Sequence, residues 1–247
     1  QKQGIRDLYE RGIANGVKCM YVVEGNDQIK KLEPNVSDKA VMALVVPSGG
    51  IVSPYEMTIA YYENAVANGA KFVFGAEVTN VEKADCGYKV TCADGQSYHA
   101  KAVVNCPGVY SDVINNFVSD QKLHIVARKG DYELLDKAYG NIVSHTLFQL
   151  PTAMGKGVLV TPTTHGNVLI GPTATNVEDK DDVDTTSAEL SEAFQKALVT
   201  MPSLPRRGII TQFSGLRAHL PQDDFVIGEC PSAPMFFNAC GVESPGL

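Results

Sequence analysis

Between Lys71 and Pro107 the apolar side chains recur at every second residue, a spacing that suits an extended strand and not a helix. Residues 72–74, 78–81, 88–92 and 98–104 read as strands, with turns at Asp85-Cys86-Gly87 and Asp94-Gly95. The run predicts a small three-stranded meander within 72–104. What lies on either side has to be reconciled with a sheet.

Upstream, Ser53-Pro54-Tyr55-Glu56 is a capping box with proline at the first helical position, and it predicts a helix running to Asn68-Gly69. Residues 1–16 read as the end of an amphipathic helix, with Ile5, Leu8, Tyr9 and Ile13 at helical spacing and Gly16 as the stop. A short helix over 27–32 ends at Glu33-Pro34, and 43–47 is strand-like. Downstream, Asn105-Cys106-Pro107-Gly108 leads into a helix over 111–118. The second half is mainly strands, at 125–135, 146–150, 158–161, 168–171, 209–213 and 225–227. Thr164-His165-Gly166-Asn167 turns the central hairpin. One helix, 187–201, interrupts the run, with an imperfect box of Ser187 and Leu190. The expected fold class is α/β (α+β), with a mixed, mainly antiparallel sheet flanked by helices.

A short apolar strand, 235–240, runs into Gly241-Val242-Glu243-Ser244-Pro245-Gly246-Leu247. Glycine, serine and proline at such a junction leave backbone N–H groups free and aim a helix's positive end at a ligand. The segment is therefore expected to form part of a cofactor site. A helix start with no helix after it, and a first helix already under way, read as a piece of a longer protein.

A net charge of −7 and a pI near 5.2 argue against a nucleic-acid partner held through phosphates. An acidic chain that binds a small anion must do it with a few placed cations. No apolar run approaches the ~20 residues that span a bilayer, and no signal peptide is read at the charged start. The six cysteines (Cys19, Cys86, Cys92, Cys106, Cys230, Cys240) form no C-x-x-C pair and no zinc spacing, so no metal is expected. They read as reduced, buried thiols of a cytoplasmic protein.

No G-x-G-x-x-G, P-loop, H-E-x-x-H or G-x-S-x-G is found, so no dinucleotide site begins in this chain. Arg217, at the end of an apolar strand beside Gly215, offers a planar fork to a carboxylate or phosphate. Pairing with Asp223 or Asp224 is an equal reading. Lys156, between Gly155 and Gly157, suits a phosphate, while a flexible hairpin lysine is the simpler account. His165 reads as an exposed turn residue. Arg128-Lys129-Gly130-Asp131-Tyr132 could contact a substrate, and reads first as a strand whose charges face water.

Taken in order, several segments resemble one family. They are Gly50-Ile51-Val52-Ser53-Pro54-Tyr55-Glu56, Arg128-Lys129-Gly130-Asp131-Tyr132, and Gly155-Lys156-Gly157-Val158-Leu159-Val160-Thr161-Pro162-Thr163. His165-Gly166-Asn167-Val168-Leu169-Ile170-Gly171-Pro172-Thr173, Gly215-Leu216-Arg217-Ala218 and the closing Gly241 to Leu247 complete the set. These look like the FAD-dependent glycerol-3-phosphate dehydrogenases and oxidases, within the D-amino-acid-oxidase-like flavoproteins that also include L-2-hydroxyglutarate oxidases.

The resemblance implies an incomplete, Rossmann-like FAD-binding part and a substrate domain. Segments 1–52 and 121–227 would belong to the substrate side, 53–120 and 228–247 to the cofactor side. The glycine fingerprint and a pocket histidine would precede this chain, so FAD is expected to be absent or weakly bound here. Val78 would pass the adenine end, and Pro107 and Gly108 would lie beside the pyrophosphate. Gly241, Ser244, Pro245, Gly246 and Leu247 would lie against the flavin ring. Lys156 and Arg217 would grip the substrate anion, with Ser244 near flavin and substrate. Pro107 stands where the family has alanine, and Ala127 where it has proline.

The implied reaction is oxidation of sn-glycerol 3-phosphate, with an L-2-hydroxyacid such as 2-hydroxyglutarate as the alternative substrate. A third reading is that the isolated chain is a non-catalytic module. Quinone, an iron–sulfur partner and oxygen stay open as electron acceptors, a peripheral membrane partner stays open beside them, and the oligomeric state is not readable.

Overall fold

The computed structural model describes residues 2–151, 157–243 and 246. In chain order its elements are α1 (Lys2–Ala14), β1 (Tyr21–Glu24), α2 (Asn26–Leu32), β2 (Met42–Val45), α3 (Pro54–Ala67), β3 (Val78–Ala84), β4 (Gly87–Cys92), β5 (Ser97–Ala100), β6 (Val103–Asn105) and α4 (Ser111–Val118). There follow β7 (Val126–Leu135), β8 (Leu159–Pro162), β9 (Val168–Gly171), β10 (Thr175–Val177), α5 (Ser187–Thr200), β11 (Ile209–His219), β12 (Val226–Cys230) and β13 (Ala233–Cys240). This is the expected mixed architecture with mainly antiparallel pairing. Contacts divide it into two compact units, residues 1–63, 130–174 and 184–214 in the first and 64–129, 175–183 and 215–247 in the second.

In the first unit β9 pairs with both β8 and the C-terminal half of β7, so that Leu159 faces Gly171 and Glu133 faces Ile170. Leu135, Val160, Val168 and Ile170 form one side of the core. Ala193, Phe194, Ala197 and Met201 form the other, a helical stripe from α5 and its end. Each large apolar side chain buried there contributes about 1.5–3 kcal/mol relative to exposure. The cap of α5 falls one residue earlier than expected. The Thr186 hydroxyl accepts the Glu189 N–H at 3.2 Å and meets the Glu189 carboxylate at 2.7 Å. Threonine followed three residues later by glutamate completes the box that Ser187 and Leu190 lacked.

In the second unit β3, β4 and β5 form the meander, and β12, β13 and β6 form a second three-stranded sheet in which β13 runs parallel to β6. Val81, Tyr88, Cys230, Ala233 and Phe236 are its core. Tyr88 joins both sheets, its ring 5.8 Å from Phe236 and its hydroxyl donating to the Pro234 carbonyl at 2.7 Å. Helix α4 packs on β3 and β13. Strand β10 pairs with the N-terminal part of β7, Thr175 opposite Lys129.

Several expectations are corrected. Residues 72–74 alternate like a strand, yet they form no strand and all three side chains are exposed. The single strand expected over 98–104 breaks at Lys101-Ala102, because β5 pairs with β4 while β6 turns to β13. The meander is thus 78–100. Of 146–150 only an isolated bridge between Leu147 and Val160 forms. Cys19, Cys86 and Cys106 are exposed, so the reduced thiols are buried only at Cys92, Cys230 and Cys240. Helix α3 forms where its box placed it, with Ser53 capping Glu56, but buries none of its side chains. Among the described residues no helix is long and apolar enough to cross a membrane.

Candidate cofactor and substrate site

Parallel strands end together, and here the paired residues at that end are Asn105 of β6 and Asn238 of β13. In open sheets the crevice beyond such carboxyl ends is where ligands settle. Both asparagines are buried. The Asn105 amide donates to the Ser111 carbonyl at 2.8 Å and to Asn238 Oδ1 at 2.9 Å. Asn238 donates on to Asn115 Oδ1 at 2.8 Å, which ties α4 to both strands. Asn105 Oδ1 and Ser111 Oγ are buried without a hydrogen-bond partner.

Beyond the pair, both chains turn on glycine. Gly108 has φ +62° with open space where a side chain would stand, and Pro107 and Gly108 are exposed. Gly241 has φ +72° and is buried, its missing Cβ only 2.4 Å from Leu220 Cδ1. Only glycine enters that conformation at no steric cost. At the start of α4, Asp112 accepts the Ile125 N–H at 2.8 Å and pairs with Lys180 at 2.5 Å. Lys180 also lies 5.7 Å from the Tyr110 ring centroid. The Tyr110 phenol is pushed up to about 12, first by its hydrogen bond to Asp181, then by desolvation and neighbouring carboxylates.

Arg217 lies half-buried on β11. Two residues on, His219 Nδ1 meets the Glu243 carboxylate at 2.8 Å and Asp223 at 3.9 Å. The ligand atoms of His219, Asp223 and Glu243 lie within 4.8 Å of one another.

Three charged side chains of β7 do not face water. Lys129, Asp131 and Glu133 are buried, sharing strand parity with the buried Ala127 and Leu135. Lys129 pairs with Asp182 at 3.3 Å. Asp131 exchanges hydrogen bonds with Thr173, its N–H donating to Oγ1 and its Oδ2 accepting from it, each at 2.9 Å. Glu133 is 1% exposed, and neither carboxylate oxygen meets a donor in hydrogen-bonding geometry. Burial pushes its carboxyl up, and the Arg206 charge and Gln212 pull part of the way back. The folded state then holds this proton more tightly than the unfolded chain, so stability falls as pH rises above the ordinary value of 4.5. Glu133→Gln is expected to remove that loss. Urea midpoints at pH 5 and pH 8 should lie closer together in the variant, and an unchanged gap would refute it.

Of the residues read from the sequence, Gly108 and Gly241 are brought to one end of the β6–β13 pair. Val78 opens β3, half-buried opposite Cys92, and Gly246 is exposed. Lys156, Ser244, Pro245 and Leu247 lie outside the described residues. His165 is an exposed turn residue as expected, 3.8 Å from Glu56. Of the two turn carboxylates weighed as partners of Arg217, Asp223 lies 3.9 Å from His219 Nδ1. The His219–Glu243 and Lys180–Asp112 pairs had no local sequence signal. Glu133 had one, the apolar parity of its strand.

A parallel strand pair ending beside two positive-φ glycines, set among antiparallel sheets, is an α/β arrangement that leaves a crevice for a ligand at its carboxyl end. The chain belongs to the FAD dependent oxidoreductase family (DAO), whose family model matches residues 1–247. It is 47% identical over 240 residues to a glycerol 3-phosphate dehydrogenase of Caloramator mitchellensis, covering 97% of this chain and 50% of that protein. An L-2-hydroxyglutarate dehydrogenase of Escherichia coli is 27% identical over 177 residues, 70% of this chain and 41% of its own length. Among solved structures, the dithionite-reduced L-alpha-glycerophosphate oxidase of Mycoplasma pneumoniae with FAD bound superposes with a TM-score of 0.90 at 26% identity, over 99% of this chain and 65% of that one. The chain thus spans about half to two thirds of the length of these glycerol 3-phosphate relatives.

Proposed function

We propose that this chain is part of a longer flavoenzyme that oxidises sn-glycerol 3-phosphate to dihydroxyacetone phosphate. The observation that carries the reading is 47% identity to a glycerol 3-phosphate dehydrogenase along nearly the whole chain. The half-length match supports a longer protein, as does the bare face of α3, where Tyr55, Ile59 and Tyr61 stand exposed. In this reading 1–52 and 121–227 serve the substrate, and 53–120 and 228–247 serve the cofactor.

The β6–β13 end fits FAD. A phosphate approaching Gly108 meets backbone with no Cβ in the way, at the mouth of a parallel pair. Pro107 and Gly108 would line the pyrophosphate, Val78 the adenine end, and Gly241, Ser244, Pro245, Gly246 and Leu247 the flavin ring. The bound flavin supplies a hydride acceptor for the C2 hydrogen. Arg217 would neutralise the phosphate and hold C2 in place, a contribution by positioning, and Lys156 is the second cation proposed for the anion. Ser244 would be a further contact of substrate and flavin. The base that takes the C2 hydroxyl proton comes from a part of the protein this chain does not supply. A partner able to accept the electrons would complete the cycle and is part of the proposal.

The test is anaerobic reduction of the flavin in the intact protein with each of two substrates. Bleaching by sn-glycerol 3-phosphate and none by L-2-hydroxyglutarate is expected. The reverse pattern would sink the reading.

A further inference from the structure

The loop after β10 carries Glu178, Asp179, Lys180, Asp181 and Asp182, a composition that suits a solvated turn. Three of its side chains are instead engaged by the protein. Lys180 pairs with Asp112 at 2.5 Å, and the two side chains are only 18% and 7% exposed. The same ammonium lies 5.7 Å from the Tyr110 ring centroid, within range of a cation–π attraction. The Tyr110 phenol is hydrogen-bonded to Asp181. An ionised carboxylate can only accept, so the phenol donates, and a bond to a charged acceptor is a strong one. One residue further, Asp182 pairs with the buried Lys129 at 3.3 Å. The Asp181 N–H donates to Asp179 Oδ1 at 2.9 Å, which holds the loop in shape. Residues 180, 181 and 182 thus each grip a partner within residues 110–129.

Two of those partners, Tyr110 and Asp112, border the Gly108 turn. Gly108–Tyr110 is one 3-10 turn, closed by the Tyr110 N–H to the Pro107 carbonyl at 3.3 Å and by the Ser111 N–H to the Gly108 carbonyl. Nothing lies within 4 Å of where a Gly108 side chain would stand, and its φ of +62° is one of several that glycine adopts readily. Packing therefore does not fix the turn from that side. Its shape is set from Tyr110 and Asp112, and through them from the loop. We propose that Lys180 and Asp181 are positioning residues, which clamp Asp112 and Tyr110 and so hold the Gly108 turn in the shape that receives the FAD pyrophosphate. The proposal rests on the assignment of that turn to FAD above and deepens it. Apparent affinity falls with the fraction of molecules whose site has the competent shape. Losing one hydrogen bond to a charged group lowers that fraction by about tenfold.

The test uses the intact protein freed of FAD and the variants Tyr110→Phe, Asp181→Ala, Asp181→Asn and Lys180→Gln. Binding of FAD, and of riboflavin, which has the ring without the phosphates, is followed by quenching of flavin fluorescence. Tyr110→Phe and Asp181→Ala are each expected to weaken FAD by about tenfold, with riboflavin binding and the Tm of the FAD-free protein unchanged. The two changes together should be no worse than either alone, since both remove one contact. Asp181→Asn keeps an acceptor for the phenol and should recover most of the affinity. Lys180→Gln leaves a mostly buried carboxylate without its charge partner, so a lower Tm accompanies a loss of FAD affinity at least as large.

Wild-type FAD affinity in Tyr110→Phe, Asp181→Ala or Lys180→Gln would overturn the proposal. So would equal losses of FAD and riboflavin, or losses that add in the Tyr110→Phe, Asp181→Ala double variant. A loss in Tyr110→Phe that follows a fall in its Tm would reduce the contact to a structural one and end the proposal too, as would an Asp181→Asn variant no better than Asp181→Ala. No substrate enters these measurements, so they judge the clamp even if sn-glycerol 3-phosphate fails to reduce the flavin.

Discussion

Replacing Arg217 by alanine in the intact protein is expected to lower kcat/KM for sn-glycerol 3-phosphate by about 100- to 1,000-fold, mainly through KM. A partly desolvated cation that grips a phosphate and is truncated leaves a charge without its partner, which costs roughly 2–5 kcal/mol. Each 1.4 kcal/mol is tenfold, about the range given. Lysine at 217 should recover only part of the loss, because a point charge replaces a bidentate fork. The position supports the expectation, since Arg217 is half-buried on a strand that ends at the His219–Glu243 contact. Steady-state kinetics with flavin content held equal checks it. If Arg217→Ala left KM within threefold of the wild type, the arginine would not hold the substrate.

What the sequence showed and hid follows from the range of the forces involved. Local signals were reliable: the Ser53 box, the 164–167 turn and the Asp94-Gly95 turn depend on residues within a few positions of each other. Long-range pairing was invisible. Nothing near Val103 states that β6 lies parallel to β13, more than 130 residues later, and the local pattern over 98–104 is that of one strand. A parallel partner arrives only through a crossover that leaves no local trace. The inward face of β7 escapes any reading that equates charge with water. The parity of Ala127 and Leu135 held the correct answer, and Lys129, Asp131 and Glu133 share it. Of the site, the glycines at 108 and 241 were legible as backbone punctuation, while the His219–Glu243 contact was not, because no principle relates an acid to a histidine 24 residues before it.

Gly171→Ala is expected to destabilise the protein by about 3 kcal/mol, near the sum of a strained backbone and an overpacked contact. The two terms arise at one residue. Gly171 has φ +136°, a conformation that L side chains rarely adopt. Its absent Cβ would lie 2.6 Å from the Asp131 carbonyl oxygen and 2.8 Å from the Tyr132 ring. Backbone on one side and a ring stacked on Phe213 on the other give the methyl group little room to relax. The damage falls on β9, whose Val168 and Ile170 are fully buried in the first unit's core. Gly108→Ala is the comparison, since it also has positive φ but meets nothing within 4 Å, so it should cost only the strain. Urea unfolding of both variants separates the terms. If the two lost equal stability, the close approach of Gly171 to β7 would not be part of what holds the sheet together.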